Sequence, residues 1–200
     1  MDQMTRNHQS LDRREVVAKL LQDRRDMLVV TGLGSPTYDV CAAGDNDANF
    51  YLWGAMGGAA LVAYGIAKAQ PDRPVVAITG DGEQLMGLGG LATIAVHKPA
   101  NLSVVMLDNG HFGETGGQLS HSGHGVDIAA VATAIGFAHV ETVTSDEQLD
   151  AVRQRIGSAR EGPAFYRICI SNAEAPRALP LRDGAAIVTR FRANLDLRPN

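Results

Sequence analysis

Gly80-Asp81-Gly82 and Asn109 are separated by 26 residues, and each polar ligand closes an apolar run. The first run is Val75-Val76-Ala77-Ile78. The second is Leu102-Ser103-Val104-Val105-Met106-Leu107, which passes into Asp108-Asn109-Gly110. Two strand-like runs with a helix-length segment between them describe one βαβ unit. Parallel strands joined in this way carry their carboxyl-end loops side by side. A carboxylate on one loop and an amide on the next suit a hard cation that also grips phosphate oxygens. Asp-Gly and Asn-Gly are also ordinary turn dipeptides. The spacing and the flanking runs favour the metal reading over two unrelated turns.

A chain of 200 residues, 45% apolar and 20% charged, can build one substantial core. Its formal charge of −4, with no Lys/Arg cluster, argues against a nucleic-acid surface. Cys41 and Cys169 stand in no CxxC pairing, and the stretch from Met1 to Glu15 has no signal-peptide core. No apolar run approaches membrane-spanning length. The expectation is a soluble, cytoplasmic protein.

Leu11, Val16, Val17, Leu20 and Leu21 have helical spacing, ending near Asp23. A buried strand at Met27 to Thr31 runs into Gly32-Leu33-Gly34-Ser35-Pro36. Phe50 to Trp53 reads as a second strand, followed by a small-residue helix from Ala59 to Ala69. The strand at 75–79, a helix from about Gln84 to His97 and the strand at 102–107 come next. Asp108 to Val126 is glycine-rich without a periodic face, which reads as a long functional loop. A helix over Asp127 to Ile135 stops at Gly136, and Phe137 to Glu141 is a strand. Ser145-Asp146-Glu147-Gln148 is a capping box opening a helix that reaches about Ala159. Pro163 to Ile170 is the last strand, and residues 171–200 form a mainly irregular tail. The alternation predicts one α/β domain over residues 1–200: a doubly wound parallel sheet with helices on both faces.

Asp81 would give a carboxylate oxygen to Mg²⁺, Asn109 its amide oxygen and His111 its backbone carbonyl. The N–H groups of Gly82 and Glu83 can face a phosphate where strand becomes helix. Gly80 and Gly82 let the backbone come close to that anion. His111, His121 and His124 follow the metal ligands; each can contact substrate or be plain solvated surface. Glu114 is a polar contact for the same pocket. His97-Lys98 at a helix end is explained by interaction with the helix dipole. Arg190 and Arg192 read as a solvated tail rather than an anion site.

These motifs resemble the diphosphate-binding domain of thiamine diphosphate-dependent 2-oxo acid decarboxylases over residues 27 to about 170. The phosphonopyruvate and sulfopyruvate decarboxylases show the same run: Gly80-Asp81-Gly82, then Leu85-Met86, Gly89, Leu91-Ala92-Thr93 and a later Gly116-Gly117-Gln118. Asp108 departs from the first Asn common in the wider family, but Asn109 keeps the ligand position. The resemblance implies thiamine diphosphate and Mg²⁺ as cofactors. It implies that Met56, in Gly54-Ala55-Met56-Gly57-Gly58, wedges between the cofactor rings, and that the Gly54 carbonyl accepts from the pyrimidine amino group. It further places Gly34, Ser35, Phe112 and Gly113 on the cofactor. Met56 can equally be core filling. The implied reaction is loss of CO₂ from a small 2-oxo acid and release of an aldehyde.

In this family a second domain presents a glutamate to the pyrimidine, and 200 residues leave no room for one. The resemblance therefore implies a pyrimidine-binding partner subunit that supplies the glutamate, in an even-numbered homo- or hetero-oligomer. A carboligating subunit of the acetohydroxyacid (acetolactate) synthase kind and a non-catalytic cofactor-binding subunit are the alternatives. A 2-oxo acid:ferredoxin oxidoreductase β subunit works with iron–sulfur clusters, which two cysteines cannot hold. A dinucleotide site at Gly32 and Gly34 lacks its third glycine, with Thr37 in that place.

Overall fold

The computed structural model describes residues 10–158 and 162–197. Asp12 caps α1 (Arg13–Leu20), its carboxylate accepting from the Arg14 and Glu15 amides. There follow β1 (Leu28–Thr31), α2 (Ser35–Ala42), β2 (Asn49–Tyr51), α3 (Ala59–Ala69) and β3 (Val75–Gly80). Then come α4 (Asp81–Met86), α5 (Leu88–His97) and β4 (Leu102–Asp108). A small hairpin, β5 (His111–Phe112) and β6 (Gln118–Leu119), brackets a 3₁₀ turn at Gly113–Thr115. The chain ends with α6 (Ile128–Ile135), β7 (His139–Val143), α7 (Asp146–Ser158), β8 (Ala164–Cys169) and α8 (Gly184–Asn194).

Six strands form one wholly parallel sheet in the order β2-β1-β3-β4-β8-β7. Alternation along each strand sorts the side chains into two cores. Val76, Ile78, Val105 and Leu107 face the layer holding α1, α2 and α7. Val75, Ala77, Val104 and Met106 face the layer holding α3, α5 and α6. Burial on both faces explains why these strands read as continuous apolar runs. Order reverses between β1 and β3: β1 leads to α2 in the first layer, whereas β3 leads through α4 to α5 in the second. Loops that leave in opposite directions open a crevice at the carboxyl ends of those strands.

The predicted helix from Gln84 to His97 is in fact two. α4 starts at Asp81, as soon as β3 ends, and breaks at Gly87 before α5. A Cβ on Gly87 would lie 2.1 Å from the Gly57 carbonyl oxygen, so backbone packs on backbone there. The strand expected at Phe137 to Glu141 sits two residues later, because Ala138 and His139 first bond back to Pro163. The expected helix end at Ala159 lies outside the described residues. The glycine-rich stretch after Asp108 is not all loop, since it contains the β5–β6 hairpin.

The tail is irregular from Ser171 to Asp183, then forms α8, which the sequence reading did not place. Asp183 caps it, Ile187 and Phe191 are buried, and Phe191 meets Phe50 edge-on with ring centroids 5.3 Å apart. Arg190 is not a free tail charge. It pairs with Asp45 at 2.8 Å and tethers α8 to the segment before β2.

Asn101 closes the carboxyl end of α3. Its amide nitrogen lies 3.1, 2.9 and 2.8 Å from the carbonyl oxygens of Ala67, Gln70 and Arg73. Asn101→Ala leaves those carbonyls without this donor and should cost about 2 kcal/mol; an unchanged urea midpoint would contradict that account. Gly87→Ala should cost about 1–3 kcal/mol through overpacking against Gly57. Gly65→Ala, mid-helix in α3 with open space around the new Cβ, should gain up to about 1 kcal/mol. Equal melting temperatures for the two glycine variants would refute the steric reading of Gly87.

Candidate functional site

The crevice is lined by Leu33, Ser35 and Pro36 from the start of α2, Met56 from the loop before α3, and Gly80 to Glu83 at the β3–α4 junction. Leu107 and Asn109 at the end of β4, His111 to Thr115 of the hairpin, Ile170 and Arg13 complete the wall. Asp81 and Asn109 therefore open onto one cavity. In-register pairing of β3 with β4, Gly80 opposite Leu107, brings the two residues together.

Asp81 is 2% exposed. Its Oδ2 accepts hydrogen bonds from the hydroxyls of Ser120 and, at 3.0 Å, Ser122. Burial pushes its carboxyl up from the ordinary value and the nearby Asp108 adds to this, while the two serines oppose. No lysine or arginine among the described residues pairs with Asp81. Asp108 is by contrast satisfied within the protein: Arg167 Nε donates to it at 2.6 Å, and the one Ser122 hydroxyl proton is shared between its Oδ1, at 2.7 Å, and Asp81. A buried carboxylate without a cation, opening onto a cavity, has the character of a metal ligand.

Asn109 forms a tight turn in which Oδ1 accepts from the His111 amide at 3.0 Å and Nδ2 donates to Asn172 at 2.9 Å. An amide oxygen has a second lone pair, so this bond does not exhaust it. The His111 ring turns back on the same loop, with Nδ1 2.7 Å from the Asn109 carbonyl oxygen. No group of three or more His, Cys, Asp or Glu gathers among the described residues. The donor set expected from the sequence is of another kind, namely one carboxylate, one amide and one main-chain carbonyl.

Glu83 is 3% exposed and burial raises its carboxyl to about 7. The Thr79 hydroxyl and the Gly57 and Ala59 amides lie near enough to favour its charge. None of them closes a hydrogen bond of ordinary geometry to either oxygen. The carboxyl fills the space beside Gly32, where a Cβ would overlap it. Glu83 thus contributes a buried side chain as well as the backbone N–H the sequence pointed to.

Phe112 covers Gly82, whose added Cβ would lie 2.7 Å from the ring. Glu114 reaches across to the β1–α2 loop, where a Cβ on Gly34 would meet its Oε1 at 2.6 Å. Gly34 caps α2 at φ +90° and Gly54 takes φ +81°, conformations that favour glycine, but neither forms part of the cavity wall. His121 packs its ring on Phe112 at 6.0 Å, and neither His121 nor His124 lines the cavity. Ser120, Ser122 and Arg13 escaped the sequence reading. The serines lie 39 and 41 residues from Asp81, and no periodicity or turn signal links them to it.

Residues 40–168 match the family described as the thiamine pyrophosphate enzyme C-terminal TPP binding domain. A phosphonopyruvate decarboxylase from Streptomyces viridochromogenes is 39% identical over 181 residues, covering 88% of this chain and 44% of that protein. The sulfopyruvate decarboxylase subunit beta of Methanothermobacter thermautotrophicus is 33% identical over 181 residues, covering 90% of this chain and 94% of the subunit. The chain thus spans less than half of the first relative and nearly all of the second. Among solved structures, a chain from Mycobacterium smegmatis assigned to the thiamin diphosphate-dependent enzymes superposes with a TM-score of 0.69 at 26% identity. That overlap takes in 82% of this chain and 32% of the other. With its matched segment covering the βαβ unit and reaching every sheet strand except β1, the chain belongs to the thiamine pyrophosphate enzyme family, as a C-terminal TPP binding domain.

Proposed function

We propose that this chain is the diphosphate- and Mg²⁺-holding half of a decarboxylase acting on a small 2-oxo acid, of the phosphonopyruvate or sulfopyruvate kind. The observation that carries the reading is the opening of Asp81 and Asn109 onto one cavity, at the ends of adjacent parallel strands. Asp81, the Asn109 amide oxygen and the His111 carbonyl would hold the cation, with the β3–α4 amides of Gly82 and Glu83 toward the diphosphate. Ser35 at the start of α2 would face the same tail. Thiamine diphosphate, when bound, supplies a thiazolium that accepts the electron pair released as CO₂ leaves. Met56 would hold the cofactor bent, its loop braced by the Gly57–Gly87 backbone contact. Phe112 and Gly113 shield the cavity from one side, and Glu114 and the His111 ring offer polar contacts to substrate.

The glutamate needed at the pyrimidine is assigned to a partner subunit in an even-numbered assembly. The subunit-beta name of a relative that this chain matches nearly end to end supports that division. No helix among the described residues is long and apolar enough to cross a membrane, and the proposed location is the cytoplasm.

Calorimetric titration should show Mg²⁺-dependent binding of thiamine diphosphate and none of NAD. Asp81→Ala should lower that affinity at least 100-fold, and an unchanged affinity would remove the basis of the assignment. The isolated chain should turn over 2-oxo acids poorly, with activity appearing on addition of the partner subunit. Robust decarboxylation by the chain alone would disprove the division of labour.

A further inference from the structure

Arg13 is 8% exposed, yet it lies on the wall of the cofactor crevice. It is the first residue of α1, brought there because Leu11 bridges to Ile170 just beyond the carboxyl end of β8. Its Nη1 donates to Asp39 Oδ2 at 2.9 Å. Asp39 is fully buried on α2, and its other oxygen accepts from Arg14 Nε at 2.9 Å. Two guanidinium groups thus share one carboxylate, so the carboxylate balances only one of the two charges. Arg14 extends away from the crevice to the Pro176 carbonyl oxygen at 2.7 Å, so the group left facing the cavity is Arg13. Among the described residues its Nε and Nη2 take no hydrogen bond.

The surroundings add to this. Asp39 stands one helical turn after Ser35, and Ser35 and Pro36 line the cavity beside Arg13. Gly34 offers no side-chain cap to α2 and Pro36 carries no N–H, so the uncapped first-turn amides of that eight-residue helix are those of Ser35 and Thr37, with the Glu114 carboxyl beside Gly34. Met56, which marks the ring end of the proposed cofactor, enters from the loop leading into the opposite helix layer. Arg13 and α2 therefore reach the crevice from the α1–α2 layer, on the other side of the sheet from the helix that Met56 precedes.

We infer that Arg13 binds the terminal phosphate of the cofactor's diphosphate, with Asp39 holding the guanidinium in place. This rests on the cofactor reading of the crevice. A planar guanidinium pinned along one edge presents its remaining N–H groups as a fixed fork to a tetrahedral oxyanion.

The test compares thiamine diphosphate with thiamine monophosphate, each with Mg²⁺, by calorimetry. Because Arg13→Met alone strands a buried carboxylate, the Arg13→Met/Asp39→Asn double variant is measured beside it and beside Arg13→Lys. The double variant should lose at least tenfold in diphosphate affinity and keep its monophosphate affinity. Arg13→Lys, with the charge but not the fork, should fall between. Equal loss for both ligands, or none for either, overturns the assignment while the cofactor reading stands. Unchanged cofactor affinity with a raised KM for the 2-oxo acid would move Arg13 to the substrate's anionic group and likewise overturn it. Failure of the unsubstituted chain to bind thiamine diphosphate would instead defeat the cofactor reading itself.

Discussion

The Asp81 carboxylate lies at the end of β3, 2% exposed, with two serine hydroxyls and no cationic side chain among the described residues to balance it. Burying a charge with only neutral partners is costly, and hydroxyl donors recover part of that cost. Much of the local architecture follows from meeting this demand. The chain from Gly110 to Gly125 folds back over the β3–α4 junction so that Ser120 and Ser122 reach Oδ2. Ser122 also bonds Asp108, which Arg167 neutralises from β8. Burial disfavours the charged form of this carboxyl and its hydroxyl partners only partly oppose that, so a cation in the cavity would relieve the cost.

Close backbone approaches hold the rest of the crevice in place. Gly87 breaks α4 from α5 where Gly57 presses against it, which fixes the loop carrying Met56. Gly123 fits against the Gly110 carbonyl, where its Cβ would lie at 2.3 Å, and this folds the serine loop under the Asn109 turn. Phe112 lies over Gly82 for the same reason. At each point a side chain would push two segments apart, so these glycines shape the cavity wall by letting backbone or ring pack directly against backbone.

The βαβ unit, the meeting of Asp81 and Asn109 at adjacent strand ends, and the boundaries of α3 and α6 were legible from periodicity, caps and turn residues. Such signals act over a few residues and survive in one dimension. The break at Gly87 was not legible, because leucine, glycine and alanine on either side continue a helical pattern. α8 was missed because its polar face outweighs the two side chains, Ile187 and Phe191, that anchor it. Glu83 read as a backbone contact, and its side chain, 3% exposed in the space beside Gly32, is buried only by the packing of the folded chain.

By itself the sequence determined an α/β chain with two polar strand-end residues one crossover apart, since strand period, helix length and side-chain chemistry are local properties. Tertiary structure alone decided which distant groups meet those residues. Ser120 and Ser122 reach Asp81 through a folded-back loop, and Arg13 reaches the crevice across β8. Those meetings depend on loop paths and helix docking, which are set by packing over the whole sheet and leave no trace in residue spacing.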